Sequence, residues 1–284
     1  MRDMTAVPGA IILIDETNAK LWRFEEAATG PWTTAKNVPV GSGPRSVVAL
    51  GSELLAASTN SRSLTVLDAT TLAQTSSVAL GDVPIHLTAR GEKLWVTTGL
   101  EPADRAIQPW IRAASGWTRA GPPVPAAGAV STAVGTMDQV MVLFPTVAEI
   151  GWLEDGAIVR REAVCPDAHS GRVVPLAVAC RSGGIDAWID GTRTHLEGGE
   201  VVYDVVGADF DRDGNVDLAG IDLAGKQALI WMGRGDGQFL ELRTHPVSAG
   251  PIALDLLDLG RDGDLDLVVL AFEARGFDLL RNGE

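Results

Sequence analysis

The stretch Asp209-Phe210-Asp211-Arg212-Asp213-Gly214-Asn215-Val216-Asp217 places carboxylates at positions 1, 3, 5 and 9, with glycine at position 6. A backbone wrapped around one point brings these oxygens together; Gly214 permits the tight turn and Asn215 offers its main-chain carbonyl. Oxygen-only donors select a hard cation, Ca²⁺, over zinc or copper. The loop is not an EF-hand. Its twelfth position is Gly220 where a bidentate glutamate is needed, and both flanks, 201–206 and 216–221, alternate as strands do. A second copy, Asp258-Leu259-Gly260-Arg261-Asp262-Gly263-Asp264-Leu265-Asp266, carries glycine at the third position. Weaker binding, or an empty loop, is expected from Asp258, Asp262, Asp264 and Asp266.

Other reactive groups are sparse. The histidines are His86, His169, His195 and His245, and the chain has no Gly-x-Ser-x-Gly, His-Glu-x-x-His or Gly-rich phosphate loop. His86 lies near the start of an expected innermost strand and is the best single catalytic candidate, with Asp82 or Glu53 as partners. Arg234-Gly235-Asp236 is an integrin-recognition tripeptide, but a hairpin turn at Gly235-Asp236-Gly237 accounts for the same residues. Cys165 and Cys180 stand 15 apart, a spacing open either to a disulfide or to two buried thiols; without Cys-x-x-Cys or a Cys/His cluster, zinc is not expected. Of eight tryptophans, Trp95 and Trp231 fall inside expected strands, whereas Trp32, Trp110, Trp117 and Trp152 fall near turns or strand ends. Exposed there, Trp110 and Trp117 could stack on a sugar or anchor a protein partner, and the Pro-rich segment 99–123 that holds them is the longest insertion.

The elements that position these groups follow from an internal repeat. Ser42-Gly43-Pro44 recurs as Asp82-Val83-Pro84 and again as Ala249-Gly250-Pro251, with Pro44 and Pro84 separated by 40 residues. After each step comes a short apolar strand, a polar turn, a second strand, a hairpin and a third strand. No window carries a sustained helical stripe with caps, and 32 glycines with 15 prolines indicate many short elements joined by tight turns. Strands of this length at this period predict an all-β propeller, most simply seven blades over about 1–40, 41–81, 82–125, 126–164, 165–199, 200–247 and 248–284, with six or eight as alternatives. Residues 1–7 are expected to pair with the last blade, so that no edge is left open.

Residues 209–239, the Asp-x-Asp-x-Asp-Gly-x-x-Asp loop followed by Gly233-Arg234-Gly235-Asp236-Gly237-Gln238-Phe239, resemble an FG-GAP/VCBS repeat. Such repeats build the bladed head of integrin α chains and many secreted bacterial propellers. The resemblance extends over 200–244 and 248–284, while 41–99 look more like the YVTN or NHL-type blades of bacterial surface and binding proteins. It implies a seven-bladed propeller with calcium in hairpin loops on one face, where the ion chiefly rigidifies a blade. It implies no single activity, because the fold hosts binders and enzymes alike.

The net charge of −14 excludes nucleic acid and disfavours anionic membranes, since no basic stripe is present. No apolar run reaches the roughly 20 residues of a membrane span. The start, Met1-Arg2-Asp3-Met4, shows no signal pattern, so the chain is either cytoplasmic or has lost a leader. Calcium modules that bind at about 10⁻⁴ to 10⁻³ M stand empty in cytosol, which favours an extracellular or periplasmic site. The sequence therefore points to a non-catalytic, calcium-stabilised propeller that binds protein or glycan. The rivals are a propeller enzyme of lactonase or lyase type with a metal and His86 at the channel, and a structural subunit of a larger secreted assembly.

Overall fold

In the computed structural model, residues 3–26, 32–134, 140–173, 176–189 and 192–282 are described. The strands form seven sheets in chain order, spanning residues 4–39, 44–79, 84–125, 131–163, 168–196, 202–246 and 251–280, and within each sheet consecutive strands are neighbours. The fold is a seven-bladed β-propeller built on four-stranded blades. The third sheet adds the short strand Val124–Pro125, an exception to that order because it pairs with Ala106–Ala113, and the seventh has three strands among the described residues. Only two short 3₁₀ turns, Pro102–Asp104 and Pro145–Val147, interrupt the strands of the described residues.

The tight turns follow local chemistry. Gly51 and Gly91 adopt φ of 58° at the first residue of two-residue hairpins, where a side chain would be strained. Met4–Val7 pairs with Ala10–Asp15 of its own sheet across Pro8-Gly9. This corrects the expectation that residues 1–7 join the last sheet: proline fixes φ, Gly9 takes φ of 72°, and the turn folds the strand back locally.

The second strand of a sheet is buried on both faces, as in Glu53–Ser58, Lys93–Thr98 and Asp217–Asp222, which accounts for continuous apolar runs such as Ile11–Ile14 and Leu267–Ala271. The outermost strands Gln74–Ala79 and Arg243–Pro246 are largely exposed.

The chain divides into two compact units, 1–132 with 151–160, and 133–150 with 161–284. In the first unit, Ile12, Ile14 and Leu21 pack on Val47, Leu54 and Leu67 of the second sheet, and Leu55, Leu64 and Val66 pack on Leu87, Leu94, Trp110 and Trp117 of the third. In the second unit, Ala177, Ala179 and Ile185 meet Val202, Val205 and Leu229, and Val206 and Ile221 meet Leu254 and Val269.

Innermost strands share a device. A bulge displaces Arg45, Ile85, Tyr203 and Ile252 from their ladders, between residues 44/46, 84/86, 202/204 and 251/253. In three of these four strands the residue behind the bulge then accepts an amide of the next sheet: Ser46 Oγ from Leu87 N at 3.2 Å, His86 Nδ1 from Thr132 N at 3.5 Å, and Asp204 Oδ2 from Leu254 N at 3.1 Å; behind the fourth stands Ala253, which has no polar side chain. Asp3 Oδ2 does the same for Val47 N at 3.0 Å, and Ser170 donates its hydroxyl to Asp204.

Cys165 and Cys180 form a disulfide with Cα atoms 5.9 Å apart. Beside it, fully buried Asp186 accepts from Cys165 N (2.8 Å), Arg193 (2.6 Å) and His195 Nδ1 (2.9 Å). The sulfurs are therefore not available as metal ligands, and this carboxylate is already satisfied.

Candidate metal centre

The strand Val202–Ala208 leads into the acidic loop, and Asp217–Asp222 leads out of it. Two buried residues pin the loop to the sheet. Phe210, at position 2, is 7% exposed and packs among Val206, Leu254 and Val269. Asp217, at position 9, is fully buried and accepts Phe210 N and Gly233 N, each at 2.7 Å. The second loop repeats the arrangement: Leu259 is buried, and Asp266 accepts Leu259 N and Asn282 N, each at 2.8 Å. Position 4 is left-handed in both, with φ of 60° at Arg212 and 58° at Arg261, and the following glycines match at 87° and 86°.

The loops differ in their carboxylates. In the first, one oxygen each from Asp209, Asp211 and Asp217 lie within 4.8 Å of one another. Asp209 accepts the amides of Asp213 (3.1 Å) and Gly214 (3.0 Å), which closes the turn around those oxygens. The carboxylate of Asp213 turns instead to Asn215, accepting its amide at 2.8 Å and its side-chain nitrogen at 2.7 Å. Of the expected set, the structure therefore brings three carboxylates together and leaves Asp213 and Asn215 paired with each other. Burial pushes the Asp217 carboxyl above its usual range, and neighbouring Asp211 and Asp213 push it the same way. A cation offsets that repulsion, and hard oxygens clustered on a left-handed turn fit Ca²⁺.

In the second loop Gly260 leaves the third position bare, and a guanidinium from the first loop supplies positive charge. Arg212 donates to Asp262 O at 2.8 Å and pairs with Asp264 Oδ1 at 2.7 Å. Asp258 accepts Gly263 N at 3.2 Å, and Asp262 accepts Asp264 N at 3.0 Å. Sequence reasoning did not find this arginine bridge. The apolar residue at position 2 of both loops was the available signal for the buried anchor.

Residues 209–269 match the FG-GAP-like repeat family. The repeat thus takes in both acidic loops. No curated protein matches the chain. Among solved structures, the chain is similar to hydrazine synthase of Kuenenia stuttgartiensis, with TM-score 0.74 and 13% identity over 99% of this chain and 95% of that one. It is similar to BBS1N in complex with ARL6DN at TM-score 0.72 and 14% identity, covering 96% and 88%. It is also similar to virginiamycin B lyase from Staphylococcus aureus at TM-score 0.69 and 10% identity, covering 99% and 94%. At these identities the likeness is one of fold, shared by enzymes and non-enzymes.

The remaining candidates resolve differently. Trp110 and Trp117 are 5% and 4% exposed and belong to the core between the second and third sheets. This corrects their expected exposure. Much of segment 99–123 is strand, Ala106–Ala113 and Gly116–Arg119, so both indoles lie on an inward face. Trp152 is likewise buried. Trp117 Nε1 donates to Glu53 Oε2 at 3.3 Å, and Arg112 pairs with the same carboxylate. Asp82 accepts its neighbour's amide, Val83 N, at 2.7 Å. His86 itself occupies the acceptor position that Ser46 and Asp204 fill in other sheets. Arg234-Gly235-Asp236 lies in a turn closed by Arg234 N to Gln238 O at 2.9 Å, with Gly235 and Gly237 at φ of 77° and 80°.

Proposed function

We propose that this protein is a non-catalytic propeller, stabilised by calcium in the 209–217 loop, that binds a partner outside the cytoplasm. The convergence of Asp209, Asp211 and Asp217 carries the reading, because three carboxylates gathered on one turn repel one another unless a cation joins them. Asp209, Asp211 and Asp217 would hold the ion, and its contribution is to fix the loop on the sheet. The Cys165–Cys180 disulfide supports an oxidising compartment, extracellular or periplasmic. A protein partner is favoured over a glycan, since Trp110 and Trp117 are core residues and offer no stacking platform. Propellers of similar fold occur in protein complexes, such as BBS1N with ARL6DN. The enzymatic alternative has less support, given that His86 accepts a main-chain amide.

Thermal melting across a calcium titration, with a chelated control, tests the reading. A melting temperature that rises and saturates between micromolar and millimolar calcium supports it. An unchanged melting temperature refutes calcium stabilisation and removes one of the two supports for the compartment.

A further inference from the structure

In this acidic chain, one cavity is lined by three arginines. It opens between the second and third sheets of the first unit, has a volume of about 400 Å³, and is lined by Arg45, Arg62 and Arg105. Thr59 and Asn60 complete its polar side; Val83, Ile85 and exposed Leu100 form its apolar side. No carboxylate is among these lining residues.

We infer that this cavity binds a small organic anion carrying a carboxylate or phosphate group on an apolar body. Guanidinium groups present paired N–H donors that match such oxyanions, and the cavity lies within the range of small-molecule sites, about 300–1,000 Å³. A net charge of −14 repels large polyanions, so a compact ligand fits the field better than a nucleic acid.

Three structural observations support the assignment. First, Arg45 and Ile85 are the residues displaced by the bulges of two adjacent innermost strands, and bulges re-aim side chains. Together they bring one charged and one apolar group to the same cavity. Second, the walls are preformed. Thr59 N and Asn60 N donate to Gly43 O (2.8 Å) and Ser42 O (3.1 Å), Gly99 N donates to Val83 O (2.9 Å), and Arg105 is held through its guanidinium to Ala129 O at 2.8 Å. Third, Arg105 is a partly desolvated cation. Burial lowers its proton affinity against the opposing pull of Glu101, and its Nε is covered without a hydrogen-bond partner among the described residues. A cation in that setting gains more from a nearby anion than a hydrated one does. The inference concerns the first unit alone and does not depend on calcium.

Calorimetric titration of the full chain at low salt tests it, with benzoate and phenyl phosphate as probes and benzyl alcohol and inorganic phosphate as controls. Saturable binding of at least one aromatic anion is expected, at least about tenfold tighter than either control. Arg62→Gln, at an exposed loop position, and Arg45→Gln should each weaken it about tenfold, while Arg212→Gln leaves it unchanged. Failure of both anions to bind at about 10 mM, or binding unaltered in Arg62→Gln and Arg45→Gln, overturns the site. Inorganic phosphate binding as tightly as phenyl phosphate overturns the assigned ligand class.

Discussion

Replacing Asp211 by asparagine separates charge from shape in the first acidic loop. The amide oxygen keeps the acceptor that Asp211 offers to Asp213 N at 3.2 Å, while one negative charge leaves the three-carboxylate cluster. Without a cation that charge is unfavourable, because Asp217 is fully buried and Asp211 adds to the burial that disfavours its ionised form. In chelator, Asp211→Asn should therefore melt at the wild-type temperature or above it. In calcium the sign reverses. A site with Kd of about 10⁻⁴ M contributes about 2.7 kcal/mol at hundredfold excess of free ion. At about 2–4 °C per kcal/mol for a chain of this size, the wild type gains about 5–11 °C. If losing one ligand raises Kd about a hundredfold, the same calcium gives the variant about 0.4 kcal/mol, or about 1 °C. Circular dichroism melts of both chains in chelator and in about 10 mM calcium read all four values. Equal calcium shifts in the two chains, or a variant less stable in chelator, would refute the reasoning.

Three further outcomes are expected. Cys165→Ala with Cys180→Ala opens a 15-residue loop, costing about 3 kcal/mol in the loop-entropy treatment; a denaturant midpoint that does not move would contradict the constraint. Trp117→Ala should cost about 3–5 kcal/mol in urea unfolding, as a buried core residue, and a loss under 1 kcal/mol would return Trp117 to the surface role expected from sequence. In calcium-free buffer, burial raises Asp217 and Asp266, so both contribute stability that is present below about pH 3.8 and lost as pH rises through their folded values. Asp68, lowered first by the Thr71 amide, and Asp222, in which burial is the largest single influence but hydrogen bonds from Val201, Glu200, Gly225 and Gln227 together outweigh it, act oppositely and lose their contribution as pH falls below about 3.8. Asp217→Asn should remove one part of the first trend, so wild type loses stability relative to the variant as pH rises above about 3.8; a constant difference would show that Asp217 is not raised.

What the sequence reveals depends on how far apart the interacting residues lie. The acidic loop is legible because its carboxylates fall within nine residues and the turn chemistry of Gly214 is local. The sheets are legible because strands buried on both faces leave runs such as Ile11–Ile14. The tryptophans were misread for the opposite reason. Trp117 is covered by residues of another sheet, with Glu53 lying 64 positions away, and prolines at 109, 122 and 123 give its own segment the composition of a loop. Within the acidic loop Asp213 differs from the three gathered carboxylates in one detail that spacing does not display: it accepts the Asn215 amide and side chain two residues on. The Arg212 bridge spans 50 positions, and the arginine cavity gathers residues from 45 to 105; neither leaves a local signature.

The acceptor behind three of the bulges also bears on how such a chain can be assembled over evolutionary time. At three joints a sheet offers one acceptor to an amide of the sheet after it, and serine, histidine and aspartate all serve. At those joints a diverged sheet keeps the link through any of the three acceptors, while its apolar face must still match the neighbour it packs on. Within the second unit, that tolerance lets a cysteine-bridged sheet stand beside two that carry acidic loops, each free to diverge at its hairpins while the shared joint stays intact.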